Sequence, residues 1–223
     1  MVRGGSIRVP NKNFKPFAGT TLLELKIKQL KRIPELDGII VNSDSDHMLG
    51  IARTYDVETV KRADYYASSD VSIHETMKNI AETSNCDILC VAHCTSPLML
   101  DSSISGCISA FRSLDAGYDS VMTVNQVKEF LYEGERAINF DPAHQPRSQD
   151  IKTVCKNSAC HVISRDLAIK VKNKVGNRPL LYHIDRIEGM DIDDQLDFDI
   201  CEFLYQKRQN DSYFSEQSNR KAG

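Results

Sequence analysis

"DILCVAHCTSPLML", residues 87–100, is an apolar run that stops abruptly in a polar, proline-containing loop. Four to eight apolar residues bounded by turn signals are the pattern of a buried strand. Upstream, Ser72 and Glu75 form a capping box ahead of Ile73, Met77 and Ile80 at helical spacing. Downstream, Asp101 stands in capping position for a helix carrying Ile104, Ile108 and Phe111, and "DSVMTV" at 119–124 reads as the next strand. The same alternation occurs earlier. Thr21 and Glu24 box a helix with Leu23, Ile27 and Leu30 on one face, and strands "GIIV" (38–41) and "VETV" (57–60) flank a helix around 46–54. Strands separated by 10–15-residue amphipathic helices predict an α/β fold with a mostly parallel sheet and helices on both faces. Such sheets gather ligands at the carboxyl ends of their strands. The polar loops "NSDSD", "HCTSP" and "DIDD" fall at those ends.

The rhythm breaks at 125–152, a polar stretch with few apolar residues in any period, which reads as a protruding hairpin arm. After Gln206 the composition turns polar, so residues 1–206 read as one domain and 207–223 as a disordered tail. A chain of 223 residues suffices for one sizeable core. Its 28 basic and 31 acidic residues leave a net charge of -3, which gives no general reason to expect nucleic-acid binding. No apolar run approaches the roughly 20 residues of a membrane span and no signal peptide precedes residue 3, so the expected setting is the cytoplasm. Cys86, Cys90 and Cys94 sit four apart and invite a metal reading. No second cluster supplies a fourth ligand, and reduced, partly buried thiols are the better account.

Two stretches carry chemistry. "RGGSIRVPNKN" (3–13) combines adjacent glycines with Arg3, Arg8 and Lys12. Glycines turn the backbone tightly and free its N–H groups, and the cations add charge, which together suit a polyphosphate. The plainer reading is an exposed basic leader. "GMDIDDQLDFDICEFL" (189–204) places Asp191 and Asp193 two apart. If "MDID" ends a strand, both carboxylates share a face while Ile192 enters the core. Two carboxylates plus substrate phosphates suit Mg²⁺. Asp193 or Asp194 could instead cap the following helix, and both roles can hold together.

These stretches resemble, in order, the motifs of the acylneuraminate cytidylyltransferase family. "RGGSIRVPNKN" is similar to its R-x-G-S-K-x-[IVL]-P-x-K-N signature, "RADYYASSD" to R-P-x-x-L-A-x-D, and "HCTSPLM" to Q-P-T-S-P-L-R. "PRSQD" matches R-x-Q-D, and "MDIDDQLDFDICE" matches I-D-I-D-x-x-x-D-x-x-x-A-E. The matches run from residue 3 to about 204.

The resemblance implies a Rossmann-like nucleotidyltransferase in which a 2-keto nine-carbon sugar acid attacks the α-phosphate of CTP, releasing pyrophosphate, with Mg²⁺ as cofactor. The excursion at 125–152 has too little apolar content for a core of its own yet ends in "RSQD", a site motif in the family, which predicts a homodimer whose arm reaches a partner's site. Carried over by position, Arg3, Arg8 and Lys12 act on the triphosphate as catalytic groups, with Gly5 and Ser6 in the cradle and Asn13 near the ribose. Arg62 and Asp70 fall at the cytosine, His93, Arg147, Gln149 and Asn157 at the sugar acid, and Asp191 and Asp193 at Mg²⁺. Several positions depart from the pattern. Ile7 stands where the family has a phosphate-binding lysine, His93 replaces a glutamine, Ser158 a glycine and His161 a tyrosine. The family's central first strand, ahead of the arginine, is not found, which predicts two strands lacking hydrogen-bond partners and low stability. A catalytically impaired descendant acting as a nucleotide- or sugar-binding scaffold is therefore the competing expectation. An unrelated nucleotide-sugar transferase with an Asp-x-Asp metal site explains only "DID".

Overall fold

The computed structural model describes residues 2–5, 8–68 and 70–210. Ser6 and Ile7, part of the predicted cradle, lie outside the described residues. The chain opens with a loop and a two-residue hairpin, β1 (Pro16–Phe17) and β2 (Thr20–Thr21), which leads into α1 (Leu22–Leu30). β3 (Ile40–Ser43), α2 (Asp46–Thr54) and β4 (Glu58–Lys61) follow, then α3 (Ile73–Glu82), β5 (Ile88–Ala92), α4 (Asp101–Arg112) and β6 (Ser120–Gln126). The arm carries β7 (Tyr132–Glu133) and β8 (Arg136–Ala137); β9 (Val154–Ser164), α5 (Arg165–Val171), β10 (Pro179–His183) and α6 (Gln195–Asn210) complete the order.

Local signals act much as the sequence predicts. Thr21 Oγ1 accepts the Glu24 N–H at 3.2 Å and donates back to Glu24 Oε2 at 2.8 Å, closing the capping box of α1. Ser72 Oγ accepts the Glu75 N–H at 3.2 Å at the start of α3. Asp101 behaves differently from expectation. It is the first residue of α4, not its cap, because its carboxylate is taken up by Arg32 and Gln29 of the α1 region. Residues 207–210, expected in the tail, continue α6, and the rest of the expected tail, 211–223, lies outside the described residues.

The sheet is mixed rather than mostly parallel. Four strands lie in the order β10-β6-β9-β5, with β10 parallel to β6 but β9 antiparallel to both its neighbours. The reason is the arm: the chain leaves β6, forms β7 and β8, and returns directly as β9, so the two strands join as a long hairpin. A parallel return would need a crossover helix, and none intervenes. β3 and β4 form a separate parallel pair. Helices cover both faces of the larger sheet. Ile104, Cys107 and Ile108 of α4 pack on Val121, Cys160 and Val162, while Met77 and Ile80 of α3 and Ala168 of α5 pack on Leu89, Val91 and Ile163. A third core joins the amino-terminal loop to α1, α2 and α6 through Val9, Phe17, Leu23, Met48, Ile192 and Phe198.

Between the two sheets lies a cleft of about 500 Å³, lined along one side by Ile39–Asn42 and along the other by Ile88–Ala92. On these sides β3 and β5 pair with no strand of the described residues. The Val2 N–H reaches in, donating to the Asn42 carbonyl at 3.0 Å.

Candidate active site

The amino-terminal loop is anchored from both ends. Gly4 N–H donates to both carboxylate oxygens of Asp44, at 3.0 and 3.3 Å, and a Cβ at Gly4 would lie 3.3 Å from Asp44 Oδ2 and Ser45 Cβ. Glycine allows this close approach. Arg62, only 3% exposed, donates to the Val2 carbonyl at 2.6 Å and to Asp44 Oδ1 at 3.3 Å. Burial pulls its pKa down, and the neighbouring Asp44 charge opposes that shift. Arg62 thus braces the loop from beneath. Further along, Asn11 takes the left-handed conformation at φ 59°, and its carbonyl accepts from Phe14 and Lys15. Asparagine tolerates that region better than other non-glycine residues. The turn buries Val9 and leaves Arg8 exposed.

The loop meets the "MDIDD" segment. Arg8 Nη2 lies 2.7 Å from Asp193 Oδ1, Lys12 Nζ donates to the Ile192 carbonyl, and Lys15 Nζ donates to Gln195 Oε1 at 2.8 Å. Residues 191–193 are irregular backbone, not a strand end as the sequence suggested. Ile192 still enters the core at 0% exposure, and its N–H donates to the Thr95 carbonyl at 2.8 Å, tying the segment to the loop after β5. Helix capping falls to Asp194, whose Oδ1 accepts the Asp197 N–H at 3.0 Å while Asp197 Oδ2 accepts the N–H groups of Asp193 and Asp194. Asp191 is therefore free of capping duty, and its Oδ1 is buried without a hydrogen-bond partner. A buried carboxylate oxygen left unpaired is costly unless something charged comes to it. It fits a cation ligand, whereas Asp193 presents its Oδ1 to Arg8. No cluster of three or more His, Cys, Asp or Glu side chains forms a metal cage among the described residues. Two carboxylates completed by substrate phosphates remain compatible with Mg²⁺.

Beyond β5, a basic cluster lies on the sheet face covered by α3 and α5. His93 follows Val91 by two residues, and His161, opposite Val91 in the ladder, alternates with Ile163 onto that same face. The two rings lie 6.3 Å apart, and Lys174 Nζ lies 2.7 Å from His93 Nε2. Burial, then the Lys174 charge, pushes the His93 pKa well down, and burial brings His161 to about 2, so both imidazoles are neutral.

Comparison with known proteins identifies the arrangement. A family model described as cytidylyltransferase matches residues 1–217. The chain belongs to the cytidylyltransferase family. N-acylneuraminate cytidylyltransferase of Oncorhynchus mykiss is 24% identical over 219 residues, covering 91% of this chain and 48% of that protein. Pseudaminic acid cytidylyltransferase of Campylobacter jejuni is 26% identical over 161 residues, covering 67% of this chain and 69% of the other. The chain thus spans about half the length of the vertebrate relatives it matches. The fold is shared with a CMP:2-keto-3-deoxy-manno-octonic acid synthetase complexed with CTP, at a TM-score of 0.69 and 12% identity over 93% of this chain and 96% of that one.

In this member of the family the remaining predicted residues are dispersed. Arg3, Gly5 and Asp70 are exposed, while Asn13 is buried, donates to the Arg3 carbonyl at 3.3 Å and keeps an unpartnered Oδ1. Arg147 and Gln149 sit on an exposed turn of the arm. Asn157 fills a bulge between β6 and β9, where its Oδ1 accepts from the Thr123 hydroxyl at 2.6 Å and the Ala159 N–H at 3.2 Å. Its Nδ2 donates to Asn125 Oδ1 at 3.2 Å, so the amide is already engaged within the protein. The seven cysteines are unpaired, with Cys90 and Cys160 sulfurs 3.6 Å apart. Sequence reasoning missed Asp44 as the loop's anchor, although "NSDSD" marked its neighbourhood, and it missed Lys174, which follows α5 in a run resembling ordinary solvated surface.

Proposed function

We propose that this protein transfers CMP from CTP to a 2-keto nine-carbon sugar acid and releases pyrophosphate. The observation that carries the reading is the meeting of the Arg8 and Lys12 loop with the Asp191–Asp193 segment at the carboxyl end of the sheet. The phosphates lie along the loop, where Arg8, Lys12 and free backbone N–H groups offset their charge. The anomeric oxygen of the acceptor forms a bond to the α-phosphorus as the bond to the β-bridging oxygen breaks. Asp191, with Asp193, would hold Mg²⁺, which when bound neutralises developing phosphate charge. Arg8 then exchanges its contact with Asp193 for the triphosphate. The curated relatives support the nucleotide and the acid class by their names, and the CTP complex of a structural neighbour supports the shared fold.

A homodimer is part of the proposal. The arm exposes Tyr132 and Ile138, packs Phe130 and Tyr132 edge-to-face against Phe140, and carries Arg147 and Gln149 on an exposed turn. An arm reaching across a two-fold axis would cover this surface and bring those residues to a second site. Incubation with CTP, Mg²⁺ and a panel of keto sugar acids, with pyrophosphate release as the readout, tests the activity. Release with none of the acids sinks it. The second reading, an impaired binding or scaffold protein, is favoured by Ile7 at the position where the family pattern has a phosphate-binding lysine. CTP binding without turnover would select that reading.

A further inference from the structure

The cleft between β3 and β5 has two unpaired strand edges for walls. Ile39–Asn42 line one side and Ile88–Ala92 the other, and among the described residues β3 pairs with β4 alone and β5 with β9 alone. Edge N–H and C=O groups without partners are a template for another strand. Ile88 is 42% exposed, and Ile39, Ile40 and Cys90 are half-buried, so apolar side chains border the same opening. Asn42 is only 3% exposed, yet neither its Oδ1 nor its Nδ2 has a hydrogen-bond partner. A peptide group, donor and acceptor together, answers both ends of that amide and both edges, whereas a hydrocarbon ligand answers neither.

The two edges run in the same direction. Glu58, at the start of β4, stands opposite Ile40 at the start of the parallel β3. Burial raises the pKa of Cys86, just ahead of β5; Arg165 opposes the rise, and Asp87 and Glu58 both add to it, which places Glu58 near the start of β5 as well. At the far end, Val41 and Cys94, two residues beyond β5, share a core with Val2. The Val2 N–H bonds the Asn42 carbonyl and the Gly4 N–H the Asp44 carboxylate, so the amino-terminal loop also runs parallel to β3. A strand lying in the cleft parallel to both edges therefore ends in line with Val2 and begins among Asp37, Glu58 and Asp87. Those three residues line the cleft, are exposed, and form no ion pair among the described residues. Arg112, a cation of the lining, donates instead to the Glu35 carbonyl at 3.2 Å. We propose that this cleft accepts an extended segment of a second polypeptide as a parallel strand between β3 and β5. The segment is apolar along the five residues of edge that β5 supplies, a length of about 16 Å, and cationic at its amino end. Main-chain hydrogen bonds to both edges give it affinity, and the acidic mouth fixes its direction.

The test uses the full chain and a fluorescein-labelled peptide, Lys-Lys-Ile-Val-Ile-Val-Ile, with binding read by fluorescence anisotropy. Its controls are the same peptide N-methylated at alternate residues, the reversed sequence with its cations at the carboxyl end, and palmitate as a competitor. The parent peptide binds saturably, and N-methylation weakens it about tenfold, the loss of two or so main-chain hydrogen bonds. Glu58→Gln and Asp87→Asn each weaken the parent about two- to fivefold and leave the reversed peptide unaffected. On binding, hydrogen exchange slows at the cleft-facing amides of β3 and β5 and stays unchanged in β6 and β9, whose protection also verifies that each variant is folded. Absence of saturable binding by the parent peptide overturns the proposal. Equal binding of the N-methylated peptide, or displacement by palmitate at the same concentration, makes the cleft an apolar pocket and overturns the strand. Equal affinity of the reversed peptide, with no effect of either variant, overturns the direction and the role of the acidic mouth. Binding that protects no amide of β3 or β5 places the peptide on another surface and overturns the site.

Discussion

Asp44→Ala removes one carboxylate and should disturb both stability and nucleotide binding. The Asp44 side chain is 18% exposed and that of Arg62 only 3%, with 3.3 Å between Oδ1 and Nη2. Losing the carboxylate leaves a buried guanidinium whose remaining acceptor is the Val2 carbonyl, and its Nε already lacks a partner. Breaking a buried pair in this way typically costs about 3–5 kcal/mol, and the partial exposure of Asp44 favours about 3. The Gly4 N–H loses its acceptor in the same step, leaving the Val2 N–H to Asn42 carbonyl bond as the loop's tie to β3. For a domain of this size, each kcal/mol shifts Tm by about 2–4 °C, so a fall of roughly 6–12 °C is expected. Asp44→Asn preserves an acceptor for Gly4 but not the charge, and should lose about half as much. Guanidinium unfolding of both variants, together with Arg62→Met and the double variant, measures the coupling directly. CTP affinity, measured in parallel, should fall with loop anchoring and recover in neither variant. Loss of less than 1 kcal/mol in Asp44→Ala, with additive energies in the cycle, would show that Arg62 does not brace the loop and that its role lies elsewhere.

Two further outcomes follow from the site and the sheet. Asp191→Asn should raise the Mg²⁺ concentration needed for half-maximal turnover at least tenfold with little change in Tm, whereas Asp193→Asn should act more weakly because Arg8 already shares that carboxylate; full activity of both in limiting Mg²⁺ would refute the metal assignment. Hydrogen exchange should show alternate amides of β3 and β5, those facing the cleft, exchanging much faster than the paired amides of β6 and β9; uniform protection across β5 would mean that the cleft is closed in solution.

The helices were legible because their signals are local. Thr21 and Glu24, or Ser72 and Glu75, fix a helix start within four residues, and apolar periodicity fixes its buried face. Sheet order was less accessible because it depends on connections. The arm looked like an excursion from its composition, but nothing within residues 125–152 states that the returning strand lies antiparallel beside the one it left. Residues 191–193 misled for a related reason. Alternating apolar and acidic residues mimic a strand end, whereas Ile192 is held by one hydrogen bond to the Thr95 carbonyl and by core packing, with no neighbouring strand. The functional residues divide in the same way. Arg8, Lys12 and Asp191 stood in recognisable motifs. Asp44 and Lys174 are placed by long-range folding, one beneath a loop forty positions earlier and the other against an imidazole 81 positions away.

The position of the 191–193 segment explains why so short a stretch organises the site. Its Ile192 side chain is locked in the amino-terminal core, its N–H holds the loop that carries His93, and its carbonyl holds Lys12. The carboxylates on either side of that residue are thereby held against the Arg8 and Lys12 loop, and the Asp191 charge opposes the fall in the Lys174 pKa. One tethered residue therefore fixes the acidic pair, the basic loop and the strand-end loop relative to one another, which is the arrangement that a hard cation shared between carboxylates and a phosphate requires.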